Sequence, residues 1–502
     1  MKKSFYLGVS IFTLCWLLSF FPALFPENLP PTAVRMLGST LLMAVFWIAE
    51  TIPIAATSII PLGLFPFLGI ISAEEVASAY ASDVVLLFMT VFFIAKAVEK
   101  YNLHQRIAFH IISIIGTKPT RLILGFMLAT AVLSMWISNT AITLMMLPIA
   151  ISIIEETALA NPKIDVGKTL GTSLMLGIAY AANIGGIGTP IGTPPNLIFL
   201  AQLKENFPDS TPITFFQWIM VGVPAVFIFI FLTWIYLTKI TVKLDNNSFS
   251  SDYFKIPGKE VQKLGKMSQG ETYVAILFGL TALLWIFRAD ITIGSFTLTG
   301  WATYLGVANF VHDSSVAALI AVIMFILPVK TETGDKINLL DWETAVKIPW
   351  GILLLFGGGI AISKGFAASG LSQFLGDNLQ IGLQGLSTVL MVVCICVFMT
   401  FLTEVTSNIA TTALIMPILA TAASIINVSP ALLMWPAALS ASFAFMLPVA
   451  TGPNAIVYSQ EYFPISTMAK VGLVLNIVGV ILVSLLMNFV AIPMLGWVEV
   501  TG

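Results

Sequence analysis

Two apolar runs, residues 122–154 and 386–424, each exceed thirty residues and each carry a knot of polar side chains at the centre. About 20 apolar residues in a helix cross the hydrocarbon core of a bilayer. Each run is therefore too long for one straight crossing, and its centre would strand hydrogen-bonding groups in lipid. A helical hairpin that dips into the membrane and returns meets both constraints. Eleven other apolar runs fall near 5–25, 33–50, 52–70, 83–99, 171–201, 217–239, 272–289, 298–329, 350–369, 431–459 and 467–496. The run 298–329 opens weakly, with Thr299, Gly300, Asn309, His312 and Asp313, which places its crossing at 313–329. With 58% hydrophobic residues, 10% charged residues and a mean hydropathy of +0.97, the chain cannot cover a water-facing surface; soluble domains carry about 25% charge. The pattern predicts an all-α polytopic membrane protein with about eleven crossings and two re-entrant hairpins.

Orientation follows from the basic residues. With the N-terminus in the cytoplasm, eighteen fall inside: Lys2, Lys3, Lys100, Arg106, Lys118, Arg121, Lys163, Lys168, Lys239, Lys243, Lys255, Lys259, Lys263, Lys266, Lys330, Lys336, Lys347 and Lys470. Only Arg35, Lys204 and Arg288 fall outside, which satisfies the positive-inside rule. The expected location is the cell membrane, with the C-terminus extracellular or periplasmic. The apolar run after Lys3 is read as a first span rather than a signal peptide, because Phe21-Pro22-Ala23-Leu24-Phe25-Pro26 offers no small-x-small cleavage site.

The halves repeat. Ser134-Met135-Trp136-Ile137-Ser138-Asn139-Thr140 leads to Leu147-Pro148-Ile149, and Thr403-Glu404-Val405-Thr406-Ser407-Asn408-Ile409 leads to Met416-Pro417-Ile418. Each is followed by an apolar run broken by Gly, Thr and Pro: Gly188-Thr189-Pro190-Ile191-Gly192-Thr193-Pro194-Pro195-Asn196, and Leu447-Pro448-Val449-Ala450-Thr451-Gly452-Pro453-Asn454. The Ser-Asn pairs lie 269 residues apart and the Pro-Asn pairs 258. The expected organisation is an N-terminal span (1–32), a first repeat (33–239; hairpin 122–154, broken helix 171–201), a cytoplasmic linker (240–270) and a second repeat (271–502; hairpin 386–424, broken helix 431–459). Five crossings per repeat is odd, so the second copy is inverted. Interrupted spans at matching positions of inverted repeats point to a secondary transporter's site near the midplane.

Backbone that leaves the helix inside a bilayer must be buried in protein or line a cavity. Half-helix N-termini present free N–H donors and partial positive charge, which suit an anion. Unwound carbonyls and Ser, Thr and Asn oxygens suit a hard monovalent cation. The knots contain no arginine, and the proposed ligands include no carboxylate of the kind that magnesium or calcium sites use. Sodium held by neutral oxygens, beside an anion held by hydroxyls, amides and dipoles, is the chemistry these residues favour. Small polar residues in membrane helices also serve plain helix packing, but four breaks paired across two halves exceed that need.

These motifs, with Trp47-Ile48-Ala49-Glu50-Thr51-Ile52-Pro53-Ile54, resemble the divalent anion:sodium symporter family, the INDY-type sodium-coupled dicarboxylate, citrate and sulfate carriers, over nearly the whole length. The resemblance implies a homodimeric, elevator-type secondary active transporter that carries di- or tricarboxylates of the succinate, malate, fumarate and citrate class into the cell. It implies no cofactor, with sodium as the coupling ion. One sodium ion would be held by Ser134, Ser138, Asn139 and the Gly192 backbone, and a second by Thr403, Thr406, Asn408 and the Ala450 backbone. Substrate would meet Asn139, Thr140 and Thr193 on one side and Asn408 and Thr451 on the other. Ile409 departs from the pattern: many bacterial members carry Thr there, whereas animal carriers place a β-branched apolar residue.

A sodium-independent dicarboxylate exchanger on the same fold is the nearest rival, with a channel and an intramembrane enzyme further off. No His-Glu-x-x-His or Gly-x-Ser-x-Gly is present, and no basic cluster suggests nucleic acid. Glu404 reads as a buried acceptor for hairpin N–H groups, with a proton or sodium relay as the alternative. Glu50 reads as structural, Asp83 as a span start, and Lys96 and Lys364 as side chains reaching an interface. His312-Asp313 marks an outer span start, Gly357-Gly358-Gly359 close helix packing, and Cys15, Cys394 and Cys396 core positions. Two sodium ions with a dianion carry no net charge. A third would add about 2.3 kcal/mol per 100 mV, roughly fiftyfold in accumulation.

Overall fold

The structure, a computed structural model, describes residues 3–26, 29–116, 118–210, 212–242, 244, 264–293, 296–330, 334–375, 387–426 and 428–495. Most of the expected linker, Lys2, Lys243, Lys255, Lys259 and Lys263, and the C-terminal residues 496–502 lie outside the described residues. The rest is mostly helical, with two short two-stranded ribbons. In chain order, helices α1 (Lys3–Leu18), α2 (Pro31–Ile48), α3 (Ile54–Thr57), α4 (Ile60–Phe67), α5 (Ala73–Tyr80), α6 (Asp83–Lys100) and α7 (Leu103–Ile115) precede the first hairpin. That hairpin is α8 (Pro119–Ser134) and α9 (Asn139–Ala160). The first broken helix follows as α10 (Thr172–Gly185) and α11 (Pro194–Asn206), then α12 (Phe215–Ile235). Before the second hairpin come α13 (Gln269–Ile286), α14 (Trp301–Tyr304), α15 (Asp313–Ile326), α16 (Trp342–Ala345) and α17 (Trp350–Ser369). The second hairpin is α18 (Thr388–Thr403) and α19 (Asn408–Ile425). The second broken helix is α20 (Pro430–Ser440) and α21 (Gly452–Tyr458), and α22 (Ile465–Leu486) and α23 (Ile492–Leu495) end the described chain.

Among the described residues, nine helical segments are long and apolar enough to cross a membrane. This number differs from eleven because length alone counts the hairpin arms α9 and α19 and leaves out interrupted or short spans. The run 52–70 is one such case: it breaks into α3 and α4 at Ser58 and Ile59. Pro61 in the first turn of α4 lacks an N–H and clashes with a preceding helical turn, so the helix restarts there. At 14 residues α15 spans only about 21 Å at 1.5 Å per residue. It begins at Asp313, with His312 as its N-cap. The weak opening of run 298–329 holds β2 of a two-stranded ribbon (β1 Ile291–Ile293, β2 Phe296–Leu298) and α14.

Segment 101–121, which falls between the apolar runs 83–99 and 122–154, holds amphipathic α7. It buries Leu103, Ala108, Phe109 and Ile112 and presents Arg106 to Glu271 at 2.5 Å. Helix α17 comes close to its neighbours through the glycine triplet. A Cβ on Gly357 would collide with the Tyr80 ring, and one on Gly358 with the Ser58 backbone. Lys96 and Lys364 are held by ion pairs, to Glu99 at 2.5 Å and Glu205 at 3.5 Å. Of the cysteines only Cys396 is buried; Cys394 is exposed on α18 and Cys15 half-buried, so the expectation of three core cysteines is corrected.

Candidate functional site

Both hairpin tips are built the same way. Helix α8 ends at Ser134 and α9 restarts at Asn139; α18 ends at Thr403 and α19 restarts at Asn408. A serine at an N-cap normally accepts a hydrogen bond from the first turn's N–H groups. Ser82, Ser268 and Ser387 do so in this chain. The tip serines Ser138 and Ser407 do not. The N-termini of α9 and α19 are therefore left uncapped by their own side chains, and so is α11, whose N-cap is Thr193. In α21, by contrast, Thr451 accepts from Asn454 N.

Behind each tip lies a group rich in oxygen acceptors. Ser134 Oγ is 2.6 Å from Asn139 Oδ1 and 2.8 Å from the Ala182 carbonyl. Thr403 Oγ1 is 2.6 Å from Asn408 Oδ1 and 3.1 Å from the Ala441 carbonyl. A hydroxyl has one proton, so it can satisfy only one of two such acceptors. Three oxygens converging on one proton is an arrangement that a cation relieves.

The breaks repeat this correspondence. Asn196 Nδ2 donates to Gly186 O (3.0 Å) and Thr189 O (2.8 Å), and Asn454 Nδ2 donates to Ala444 O (2.8 Å) and Leu447 O (3.0 Å). Gly192 sits where a Cβ would lie 2.5 Å from Gly186 O and 3.0 Å from Met135 O. Gly452 sits where a Cβ would lie 2.5 Å from Thr140 Oγ1, so the second break presses against the first tip.

Tips and breaks converge on one cavity of about 240 Å³. Of the residues singled out from sequence, Ser138, Asn139, Thr140, Gly192, Thr193, Asn408, Ala450 and Thr451 line it. Ser134 and Thr403 are fully buried and reach it through Asn139 and Asn408. Thr406 is not brought to it: its hydroxyl bonds Leu402 O (2.7 Å) and Thr411 within the hairpin. Ile409 also lines the cavity, at the position related to Thr140. The opposite wall is apolar, formed by Phe88, Val91, Phe92 and Ala95 of α6 with Pro349 and Ile352 around the start of α17. No charged side chain is among the lining residues.

Among the Ser, Thr and Asn residues that line the cavity, two were given no binding role from the sequence. Ser407 could have been found from the 269-residue offset to Ser138. Asn183 is the only amide in the wholly buried α10; its Nδ2 donates to Thr451 Oγ1 (3.1 Å) and Asn454 Oδ1 (3.3 Å), tying the halves together. Glu404 is an acceptor for N–H groups, but of the second break rather than of its own hairpin: Phe445, Met446 and Leu447 donate to it at 2.8, 2.9 and 3.1 Å.

The family model described as the sodium:sulfate symporter transmembrane region matches residues 2–498. The chain belongs to the sodium:sulfate symporter family. It is 42% identical over 479 residues to the sodium-dependent dicarboxylate transporter SdcS of Staphylococcus saprophyticus, covering 95% of this chain and 89% of that one. It is 41% identical over 480 residues to SdcS of Staphylococcus aureus, covering 94% and 88%. Among solved structures, the fold is similar to the Alcanivorax borkumensis YdaH transporter (TM-score 0.56, 13% identity, 91% of this chain and 99% of that one). It is likewise similar to Neisseria gonorrhoeae MtrF (TM-score 0.57, 13% identity, 100% and 96%). A family member of this kind is a multi-pass membrane transporter, not an enzyme.

Proposed function

We propose that this symporter-family member carries a small dicarboxylate into the cell with sodium. The observation that carries this reading is the pair of acceptor-rich groups, Ser134–Asn139–Ala182 and Thr403–Asn408–Ala441, flanking one uncharged cavity. Each takes one sodium ion, completed by backbone at Gly192 and Ala450. The ions and the uncapped N-termini of α9, α11 and α19 supply the positive potential that a dianion needs where no basic side chain faces it. One carboxylate sits by Ser138, Asn139, Thr140 and Thr193, the other by Ser407, Asn408 and Thr451. Ile409 gives the second end an apolar contact where the first has the Thr140 hydroxyl. Thr406 contributes through hairpin packing rather than as a ligand.

The cavity lies between two kinds of surface, polar tips and breaks on one side and the apolar faces of α6 and α17 on the other. We assign the hairpins, α10–α12 and α20–α22 to a mobile transport unit that slides against the rest as an elevator, in a homodimer. The two repeats insert with opposite orientation, N-terminus inside and C-terminus outside. Ion pairs that join separate elements support this sidedness. Asp83–Lys204 and Arg288–Asp313 join residues placed outside, and Lys100–Asp341 and Arg106–Glu271 join residues placed inside.

The test is uptake by purified protein in liposomes, offering succinate, citrate and sulfate, each in sodium and in choline. Succinate uptake that requires sodium supports the reading. Sulfate uptake with no dicarboxylate uptake would overturn the substrate assignment.

A further inference from the structure

Five hydroxyl side chains line the cavity: Ser138, Thr140, Thr193, Ser407 and Thr451. Among the described residues, Thr451 alone of these accepts hydrogen bonds from the protein. Its Oγ1 accepts from Asn454 N at 3.2 Å and from Asn183 Nδ2 at 3.1 Å. A hydroxyl oxygen has two lone pairs and one proton. With both lone pairs taken, Thr451 is left with a single role: it donates. The cavity it lines is where that proton finds room.

The network fixes the direction of these bonds. Asn454 Nδ2 already donates to Ala444 O and Leu447 O, at 2.8 and 3.0 Å. The atom that Asn454 turns toward Asn183 is therefore its oxygen, and the Asn183 atom 3.3 Å from that oxygen has to be nitrogen. An amide nitrogen has two protons. One goes to Asn454 Oδ1 and the other to Thr451 Oγ1. Asn183 keeps no proton for a ligand, and its own oxygen is an acceptor that a carboxylate repels. At 1% exposure on the buried α10, it reaches an anion through Thr451 rather than by touching it.

The duplication supplies an internal control. The 258-residue offset pairs Thr451 with Thr193 and Asn454 with Asn196. Ala182 and Ala441, whose carbonyls face the two hairpin tips, lie 259 residues apart, which pairs Asn183 with Ser442. Ser442 Oγ and Asn196 Oδ1 both lack a hydrogen-bond partner. Thr193 accepts no bond from the first turn of α11. The first break nevertheless closes, with Asn196 Nδ2 on Gly186 O and Thr189 O. A break of this design holds without an amide at the Asn183 position, so closing the fold gives no reason for one there.

We propose that Asn183 is a positioning residue for the substrate, committing the Thr451 hydroxyl to donate into the cavity. The second end of the site then offers a carboxylate a preset proton, while the Thr193 hydroxyl at the first end turns freely. This rests on the dicarboxylate reading above. A donor already aimed needs no ordering when the anion arrives. The same two bonds keep the Thr451 lone pairs from sodium, which leaves the Ala450 backbone to complete the second ion site.

The test is a double-mutant cycle read as the succinate KM at saturating sodium in liposomes. Thr451→Val removes the hydroxyl. Asn183→Asp keeps the shape but places an oxygen, with at most one proton, where the nitrogen has two. In either charge state that oxygen draws the Thr451 proton inward, away from the cavity. Each single variant is expected to raise the KM roughly 10- to 150-fold, the range for a hydrogen bond to a charged group. The maximal rate, and the sodium requirement at saturating succinate, are expected to change far less. The double variant is expected to match Thr451→Val, because an absent donor cannot be misdirected. Thr451→Ser, which keeps the hydroxyl and both its donors, is expected to retain the wild-type KM. If Asn183→Asp does not fold, Asn183→Ala enters the same cycle with a smaller expected rise, since Thr451 is then freed rather than reversed. For a variant that folds without transporting, the succinate-induced rise in melting temperature replaces uptake. A wild-type KM in Asn183→Asp, or single effects that multiply in the double variant, would overturn the proposal alone. Wild-type protein that takes up no succinate in sodium would overturn the dicarboxylate reading instead.

Discussion

Replacing Gly192 with alanine tests the first sodium site without touching a polar side chain. The added Cβ would lie 2.5 Å from Gly186 O and 3.0 Å from Met135 O, where ordinary contacts begin near 3.4 Å. Both obstacles are backbone, so relief requires the break and the tip to separate by several tenths of an ångström. Overpacking of this kind costs about 1–3 kcal/mol. If that distortion falls on the sodium ligands, the sodium concentration for half-maximal uptake rises roughly 5- to 150-fold, at about 1.4 kcal/mol per tenfold. Gly279→Ala is the control: nothing lies within 4 Å of its added Cβ, and α13 gains up to about 1 kcal/mol of helix propensity. Gly452→Ala separates the two ligands, because the atoms nearest its Cβ belong to the movable Thr140 side chain. It is expected to raise the succinate KM more than the sodium requirement. The assay is succinate uptake titrated against sodium and against succinate, with folding checked by gel filtration. A folded Gly192→Ala protein with the wild-type sodium dependence would refute the reasoning.

Other expectations follow from the same geometry. Asn139→Ala and Asn408→Ala each remove an acceptor from one oxygen group, and each is expected to weaken sodium-dependent uptake roughly 5- to 150-fold in a folded protein, about 1–3 kcal/mol per lost buried partner; wild-type uptake by both would end the site assignment. Thr406→Ala is expected to keep the sodium dependence within about threefold while lowering thermal stability by about 1 kcal/mol, since its hydroxyl serves the hairpin; a large rise in the sodium requirement would make it a ligand after all. The Lys100 ammonium, 2.7 Å away, holds the Asp341 carboxyl down at about 2. A lowered carboxyl stabilises the fold fully above its ordinary value of 3.8 and loses that contribution as pH falls through about 2. The Asp341 side chain is 44% exposed, so screening limits the pair to under about 1 kcal/mol. Asp341→Asn is therefore expected to leave uptake between pH 5 and 8 unchanged and to lower the melting temperature only slightly; a new pH dependence in that range would contradict this account.

The two hairpins were legible in sequence because their length and their polar centres conflict with a single crossing in the same stretch of chain. Most of the cavity lining was legible because each motif occurs twice, so Asn139 predicts Asn408 and Gly192 predicts a break around Ala450. Legibility ended where a partner lies on another element. Glu404 was read as an acceptor for its own tip, but its donors are forty residues further on, and nothing local marks them. Asn183 joins the two halves through a contact that spans 268 residues. Helix α7 falls outside the apolar runs because His104, Arg106 and His110 interrupt its segment, although its apolar face packs on α8. The break between α3 and α4 was marked by Pro61 all along, yet the run's hydropathy outweighed it.

Sodium coupling is tested most directly by a gradient experiment on empty liposomes. With sodium outside and no succinate inside, the account predicts that labelled succinate rises transiently above its equilibrium level and that equal sodium on both sides abolishes the rise. Uptake that is the same in choline, or that appears only when the vesicles are preloaded with dicarboxylate, would contradict it.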